Sequence, residues 1–360
     1  MIVIIIFILI LSLLIIVHEF GHFIAARING VRVEQFSLGF GPLIFKTKKG
    51  DTQYCLNLIP LGGYVKMAGD NQSEYQGKAD EYFAKTPGKR FQIIFFGPLL
   101  NYILGFLFFW LIFFMGYPSL TAKVGGLIDG YGAKAAGLRV GDKILAVDGA
   151  KIDIWEDLQQ AIRERKIRSN VVLKVLRDNQ EFKFNVSIKD KVLNDQLGEK
   201  RVLGIIGISP FDEIIEVKHG FLESAYLGFK KTIDLTVMTY TGLLRLASGK
   251  MSMRDSMTGP LGIFFITSKA AKLGLIALLH LIAVLSVSLA IFNLLPLPIL
   301  DGGHLFLLGL EKLRKKTLGA KTEEIINNVG LTLMITLALL VTYNDILRLY
   351  ADKVSKMAAK

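Results

Sequence analysis

The sequence predicts a multi-pass α-helical membrane protein: four transmembrane helices, a small membrane-associated β-sheet and one α+β domain outside the membrane. Three observations carry that expectation. Of the 360 residues, 52% are hydrophobic and mean hydropathy is +0.45, high for a soluble chain. Four apolar stretches, at about 1–26, 93–115, 274–298 and 326–347, each approach the ~20 residues a helix needs to cross a bilayer. Clusters of Lys and Arg, which form no visible aromatic-plus-basic nucleic-acid module, sit between the first two spans and between the last two and contribute to a formal charge of +12.

The first stretch lacks a charged n-region and has no small-residue cleavage site before its histidines, so it reads as a retained span and not as a signal peptide. Near its end stands His18-Glu19-Phe20-Gly21-His22. On a helix, His18 and His22 lie four apart and leave the same face. Two neutral imidazoles at that spacing can fill two corners of a tetrahedral Zn²⁺ site, with Glu19 one step round the helix as general base. The competing reading is a polar cluster that only packs helices together. A carboxylate beside two histidines in hydrocarbon is costly, which favours metal, partner or cavity. Cys55 is the only cysteine, so a multi-cysteine zinc site and an intrachain disulfide are excluded. Any further ligand is then His219, His280, His304 or a carboxylate.

Residues 31–69 alternate short β-rich pieces (31–38, 43–47, 53–58 and 64–67) with turn signals at 39–42, 48–51 and 61–63. They predict a small sheet beside the first helix, dipping into the membrane from the cytoplasmic side. Its edge could hold an unwound substrate by strand addition, or it could be an ordinary hairpin. Residues 71–90 read as an exposed connector. In the second span, Gly97 and Asn101 share a helix face, where they suit either close helix packing or a role in the site.

Residues 120–209 predict a separate domain. A short helix and turn at 133–142 lead to a strand at 143–147 that closes at Asp148-Gly149. An amphipathic helix around Trp155, Leu158, Ala161 and Ile162 follows, then strands at 171–176 and 181–188 joined at Asp178-Asn179. This order resembles a PDZ domain, whose kind binds extended peptides; shielding the membrane site is the alternative use. Residues 219–249 are apolar but interrupted by Asp234 and Arg245, and are expected to form an amphipathic helix on the outer membrane surface.

The third span, taken with its continuation as 274–303, ends in Asn293-Leu294-Leu295-Pro296-Leu297-Pro298-Ile299-Leu300-Asp301-Gly302-Gly303-His304. Two prolines break the helix and two glycines allow tight backbone. Positive charge sets orientation. Arg27, Arg32, Lys46, Lys48, Lys49, Lys66, Lys78, Lys85, Lys89 and Arg90 lie between the first two spans, and Lys312, Arg314, Lys315, Lys316 and Lys321 between the last two. Both segments are expected in the cytoplasm, with the termini and the separate domain outside. His18 and Asp301 then fall at similar depth, toward the cytoplasmic side. Asp301 as third ligand leaves a fourth corner for water; His304 is its rival, and His280 lies on the wrong half of the span.

Those residues carry a resemblance. The histidine–glutamate motif at 18–22 and the ungapped Asn-x-x-Pro-x-Pro-x-Leu-Asp-Gly-Gly pattern at 293–303 resemble the site-2 protease family of intramembrane zinc metalloproteases, most of all its RseP-type regulators of sigma-E signalling. The Gly97-x-x-x-Asn101 element and the PDZ-like domain agree with it. The resemblance implies one Zn²⁺ on His18, His22 and Asp301, Glu19 as base, and Asn293, Asn101 and Gly97 toward the substrate. It implies a membrane-reentrant role for 31–69. It further implies a bacterial inner-membrane protein that cuts single-span substrates, such as anti-sigma factors or remnant signal peptides, after a site-1 protease has trimmed them. Membrane lipid is a partner and nucleic acid is not. One departure stands: a single PDZ-like unit where the RseP type often has two. The rival function is a PDZ-containing membrane scaffold without proteolytic activity; a transport role for the intramembrane polar groups is a third.

Overall fold

The computed structural model describes residues 2–163, 165, 169–194, 200–252, 258–314 and 319–358, so Lys315 and Lys316 of the second basic cluster lie outside the described residues. Two compact units emerge, one made of residues 1–112 and 222–360 and the other of Phe113–Phe221.

The first unit opens with α1 (Ile2–Ile28), then β1 (Val33–Lys49), β2 (Thr52–Met67) and α2 (Pro87–Met115). Pro87 suits the first turn of α2, where its missing N–H has no partner to lose. The four short pieces expected at 31–69 are joined into two long strands, and the turn signals at 39–42 and 61–63 are bends within them. The reason is visible in Gly39 and Gly41, at φ +81° and +84°, which turn the chain without ending its pairing. Pairing shows four ribbon segments side by side. Residues 43–49 run against 52–57; 53–56 lie beside 35–38; and 33–38 run against 63–67. Segment 63–67 is thus an outer ribbon, and it lies against α1, where Gly63 leaves no room for a Cβ beside Ile15 and Glu19. Phe23, Ala26, Val31, Val33 and Ile93 form one buried cluster joining α1, the sheet and α2.

The second unit contains β3 (Tyr117–Leu120), β4 (Val124–Leu127), α3 (Gly132–Ala135), β5 (Lys143–Val147), β6 (Ala150–Lys151), α4 (Trp155–Arg163), β7 (Asn170–Arg177), β8 (Gln180–Ser187), β9 (Lys189–Asn194), β10 (Lys200–Ile205), β11 (Ile208–Pro210) and β12 (Ile214–Val217). Its main sheet has the order β6-β5-β7-β8. Asp148-Gly149 at φ +49° and +87°, and Asp178-Asn179 at +49° and +63°, make the two tight hairpins with the left-handed backbone such loops require. Ile144, Val147, Leu158, Leu173, Val175 and Val186 fill its core. The unit is wider than the expected 120–209, because β3 pairs with β12 and joins the incoming and outgoing chain.

The first unit resumes with α5 (Phe221–Ala247), α6 (Pro260–Leu273), α7 (Leu275–Asn293), α8 (Asp301–Arg314) and α9 (Ala320–Ala358). By length and composition, four helices among the described residues could cross a membrane: α1, α2, α7 and residues 325–351 of α9. The region 219–249, expected on the outer membrane surface, holds helix α5, which packs on another helix. Helix α5 runs antiparallel alongside α2: Gly228 sits against Trp110, and Thr236 Oγ1 meets Tyr102 Oη at 2.9 Å. Ser224, Gly228 and Thr232 give it a small buried face, and its threonine hydroxyls donate to carbonyls four residues back, which mutes their polarity. Helix α6, unforeseen in the sequence, packs Phe264 edge-on against Phe7 of α1 at 5.6 Å. The carboxylate of Asp345 on α9 accepts from the backbone N–H of Gly259 and Gly262, satisfying the start of α6.

Candidate metal centre

The third apolar helix stops at Asn293, short of the expected 298, and Asp301 opens a new helix. The prolines at 296 and 298 deny the helix its N–H donors and push Leu295 and Leu297 away from helical backbone. Gly302 and Gly303 let α8 start hard against this break; a Cβ on Gly303 would stand 2.2 Å from the Leu297 carbonyl oxygen. An N-terminal carboxylate such as Asp301 is also favoured by the helix dipole.

The break brings Asp301 to the two histidines of α1. His18 Nε2 lies 3.1 Å from Asp301 Oδ2, His22 Nε2 lies 3.4 Å from Asp301 Oδ1, and the two Nε2 atoms are 3.2 Å apart. The rings meet edge to face at 87°. His22 Nδ1 sits 2.9 Å from the Ile93 carbonyl oxygen. A carbonyl only accepts, so Nδ1 carries the hydrogen and a neutral His22 turns the Nε2 lone pair inward. His22 Nε2 therefore faces the Asp301 carboxylate as acceptor to acceptor, and Asp301 Oδ2 is buried with no hydrogen-bond partner.

That arrangement fits a cation. Zinc bonds of about 2.0–2.1 Å place the corners of a tetrahedron about 3.3–3.4 Å apart. The observed separations of 3.1, 3.2 and 3.4 Å are of that order, the two to Asp301 ending on different oxygens of its carboxylate. Two nitrogens and a carboxylate oxygen are also a donor set that zinc accepts. Among the described residues, His18, His22 and Asp301 are the group able to hold a metal ion.

The other expected site residues fall at different distances from this triangle. Glu19 shares α1 with the histidines, and its carboxylate faces the Val65 backbone N–H on the outer ribbon. Asn293, the last residue of α7, places Nδ2 at 3.4 and 3.5 Å from the two nitrogens of His18. Gly97 lies directly under the histidines, where a Cβ would come within 2.3 Å of His22 Nε2. Asn101, one turn further, is fully buried; neither side-chain polar atom has a partner, while Ser286 Oγ donates to its backbone oxygen at 2.7 Å. His304 lines a neighbouring cavity, and His280 packs edge-on against Phe109.

Three contributors had no signature in the sequence. Ile93 acts through a backbone oxygen. Gly21 lets α1 touch α2, since a Cβ there would lie 2.2 Å from the Phe96 carbonyl oxygen. Gly330 of α9 sits on Pro298, with a Cβ position 2.4 Å from the proline ring. A lone glycine in an apolar helix gives no hint of such a contact.

The family model described as peptidase family M50 matches residues 6–337. The regulator of sigma-W protease RasP of Bacillus subtilis is 29% identical over 424 residues, covering 96% of this chain and 98% of the relative. The zinc metalloprotease RasP of Bacillus licheniformis is 30% identical, with the same coverage of 96% and 98%. A Clostridium perfringens protein whose name describes a zinc metalloprotease is 34% identical over 340 residues, covering 93% of this chain and 96% of its own. Among solved structures, the PDZ domain of the SdrC-like protein of Listeria monocytogenes aligns with 25% of this chain and 86% of its own, at 21% identity and a TM-score of 0.21.

Proposed function

The chain belongs to peptidase family M50, and on that premise we propose that it is an intramembrane zinc metalloprotease. It hydrolyses a peptide bond within the spanning segment of single-span membrane proteins. Anti-sigma factors and remnant signal peptides, trimmed beforehand by a site-1 protease, are the substrate classes that suit it. The observation that carries this reading is the triangle of three lone-pair donors, contributed by two helices more than 270 positions apart and collected around an orphaned carboxylate oxygen.

His18, His22 and Asp301 would hold one zinc ion, which when bound supplies Lewis acidity toward water and the scissile carbonyl. Glu19 takes a proton from the attacking water and returns it to the leaving nitrogen. A helical substrate hides its carbonyls in the i to i−4 ladder, so it must unwind before its backbone can react. The outer ribbon at 63–67, beside Glu19, gives the unwound strand an edge to align on. Asn293 and Asn101 offer amides to its backbone, and Gly97 keeps the floor of the site low enough for a chain to pass. Ile93 fixes the His22 ring through Nδ1.

Family membership suits a bacterial inner-membrane placement, and the basic clusters favour an orientation with both termini and the Phe113–Phe221 unit on the periplasmic face and the metal centre toward the cytoplasm. In that unit a cavity of about 220 Å³ runs between α4 and β10, lined by Trp155, Leu158, Ile162, Leu203 and Ile205. It suits an extended apolar peptide, and its unit would hold back substrates with bulky outer domains.

Co-expression with tagged single-span candidates tests the reading. Wild type is expected to cut at least one, and Glu19→Gln to retain zinc and fold while losing about 100-fold or more in rate. Turnover like wild type from Glu19→Gln would sink the assignment of the base.

A further inference from the structure

Beside the metal centre lies a second cavity, of about 530 Å³, that neither the zinc site nor the sheet edge uses. It shares two walls with the centre: His304, one turn beyond Asp301, and Ile94, next to the residue whose carbonyl holds His22. Its size is that of a ligand site, but its lining is not the usual apolar one. Asn71, Ser73, Asn327 and Asn328 contribute groups that both donate and accept.

Arg90 is the informative member. Its guanidinium is 8% exposed and donates through Nη2 to Glu311 Oε2 at 2.9 Å. Tyr82 and Phe83 lie 5.9 and 5.5 Å from its central carbon and hold the plane in place. Its Nε is buried and has no hydrogen-bond partner. A buried donor left unpaired is costly, so one carried by a side chain that lines a cavity marks where an acceptor belongs. The charge of Arg90 is already balanced by Glu311, and Asp70 adds a negative charge to the lining. A free anion is therefore poorly matched, and a neutral acceptor is well matched.

We propose that this cavity receives the unwound backbone of the substrate on the cytoplasmic side of the scissile bond, with a peptide carbonyl accepting from Arg90 Nε and the surrounding amides pairing with its neighbours. An extended chain has free carbonyls and N–H groups to offer, which a helix lacks. The cavity would then anchor the strand beyond the cut, so that the metal centre meets a chain held on both sides. This rests on the proteolytic reading above.

The lone cysteine makes a clean test possible. In full-length protein carrying Cys55→Ser, Glu19→Gln and Asn328→Cys, single cysteines are walked along a substrate that wild type cuts, with the cut position fixed by product masses. Mild oxidation should link residue 328 to a few consecutive substrate positions on the cytoplasmic side of the cut and to none on the outer side. Filling the cavity with Ser73→Trp should raise KM about tenfold with zinc content unchanged, tenfold being the effect of one well-made contact. Failure of wild type to cut any substrate would count against the proteolytic reading itself. Cutting without links at 328, links on both sides, or loss of links in millimolar inorganic phosphate would overturn the peptide assignment.

Discussion

The two units of this chain treat buried polarity in opposite ways. In the Phe113–Phe221 unit, the most buried charge, Asp142, is fully engaged: Arg177 donates to both of its oxygens at 2.7 Å and the Arg139 backbone N–H adds a third bond. In the other unit, Arg90 Nε, both amide atoms of Asn101, and Asp301 Oδ2 are buried without partners, four of the five such atoms among the described residues; the fifth is the lone hydroxyl of Thr121 in the Phe113–Phe221 unit. A scaffold satisfies its polar groups internally, because an unpaired one weakens it. A site leaves them open for something that arrives. The contrast separates architecture from chemistry more sharply than burial alone does.

The largest expected effect attacks the open side of that contrast. Asp301→Ala removes one corner of the triangle, and the purified protein should lose most of its zinc by metal analysis. Full zinc retention would mean that the three donors are not the site. Gly97→Ala comes next. Its new methyl would fall on His22, and displacements of about 1 Å near a reacting centre can cost about 100-fold in rate. Assays should show that loss with helicity by circular dichroism unchanged; an active alanine variant would mean that the floor under the histidines is soft.

The smallest effect concerns the closed side. Burial alone would raise the Asp142 carboxyl, but the Arg177 guanidinium and the Arg139 N–H hold it below the ordinary carboxylate range. A carboxyl whose folded-state pKa is depressed adds stability at pH above about 4, and that contribution is lost as pH falls through the folded value. Asp142→Asn should therefore destabilise its own unit by about 2 kcal/mol at neutral pH and flatten the acid dependence. Urea unfolding of a Trp110→Phe background, followed through Trp155, reads this directly. Substrate cleavage should change little.

Much of this was legible because the chemistry is carried by side chains in short patterns. His18 and His22 share one helix face with Glu19 one step round, and the prolines and glycines around Asp301 announce a broken helix. The paired hairpins of the second unit were legible at Asp148-Gly149 and Asp178-Asn179 for the same local reason. What escaped depends on non-local contact. Periodicity and charge in α5 suggested a surface helix, but the small residues that lay it along α2 look unremarkable in one dimension. Helix α6 has Gly259-Pro260 at its start and Gly274 at its end, yet its single charged-apolar turn gives weak periodicity. The Ile93 oxygen belongs to the backbone, which every residue possesses.

Ile299 holds φ at +77°, a backbone that a β-branched side chain resists by about 1–3 kcal/mol. It stands two residues before Asp301, and Gly330 is seated on the adjoining Pro298. Helix α9 donates nothing to the triangle, but it acts as a splint for the bent peptide that carries one corner. The position of the Asp301 carboxylate is thus underwritten by a residue almost thirty positions later in the sequence, and under the proposed function metal affinity would depend on how firmly the last helix stays docked.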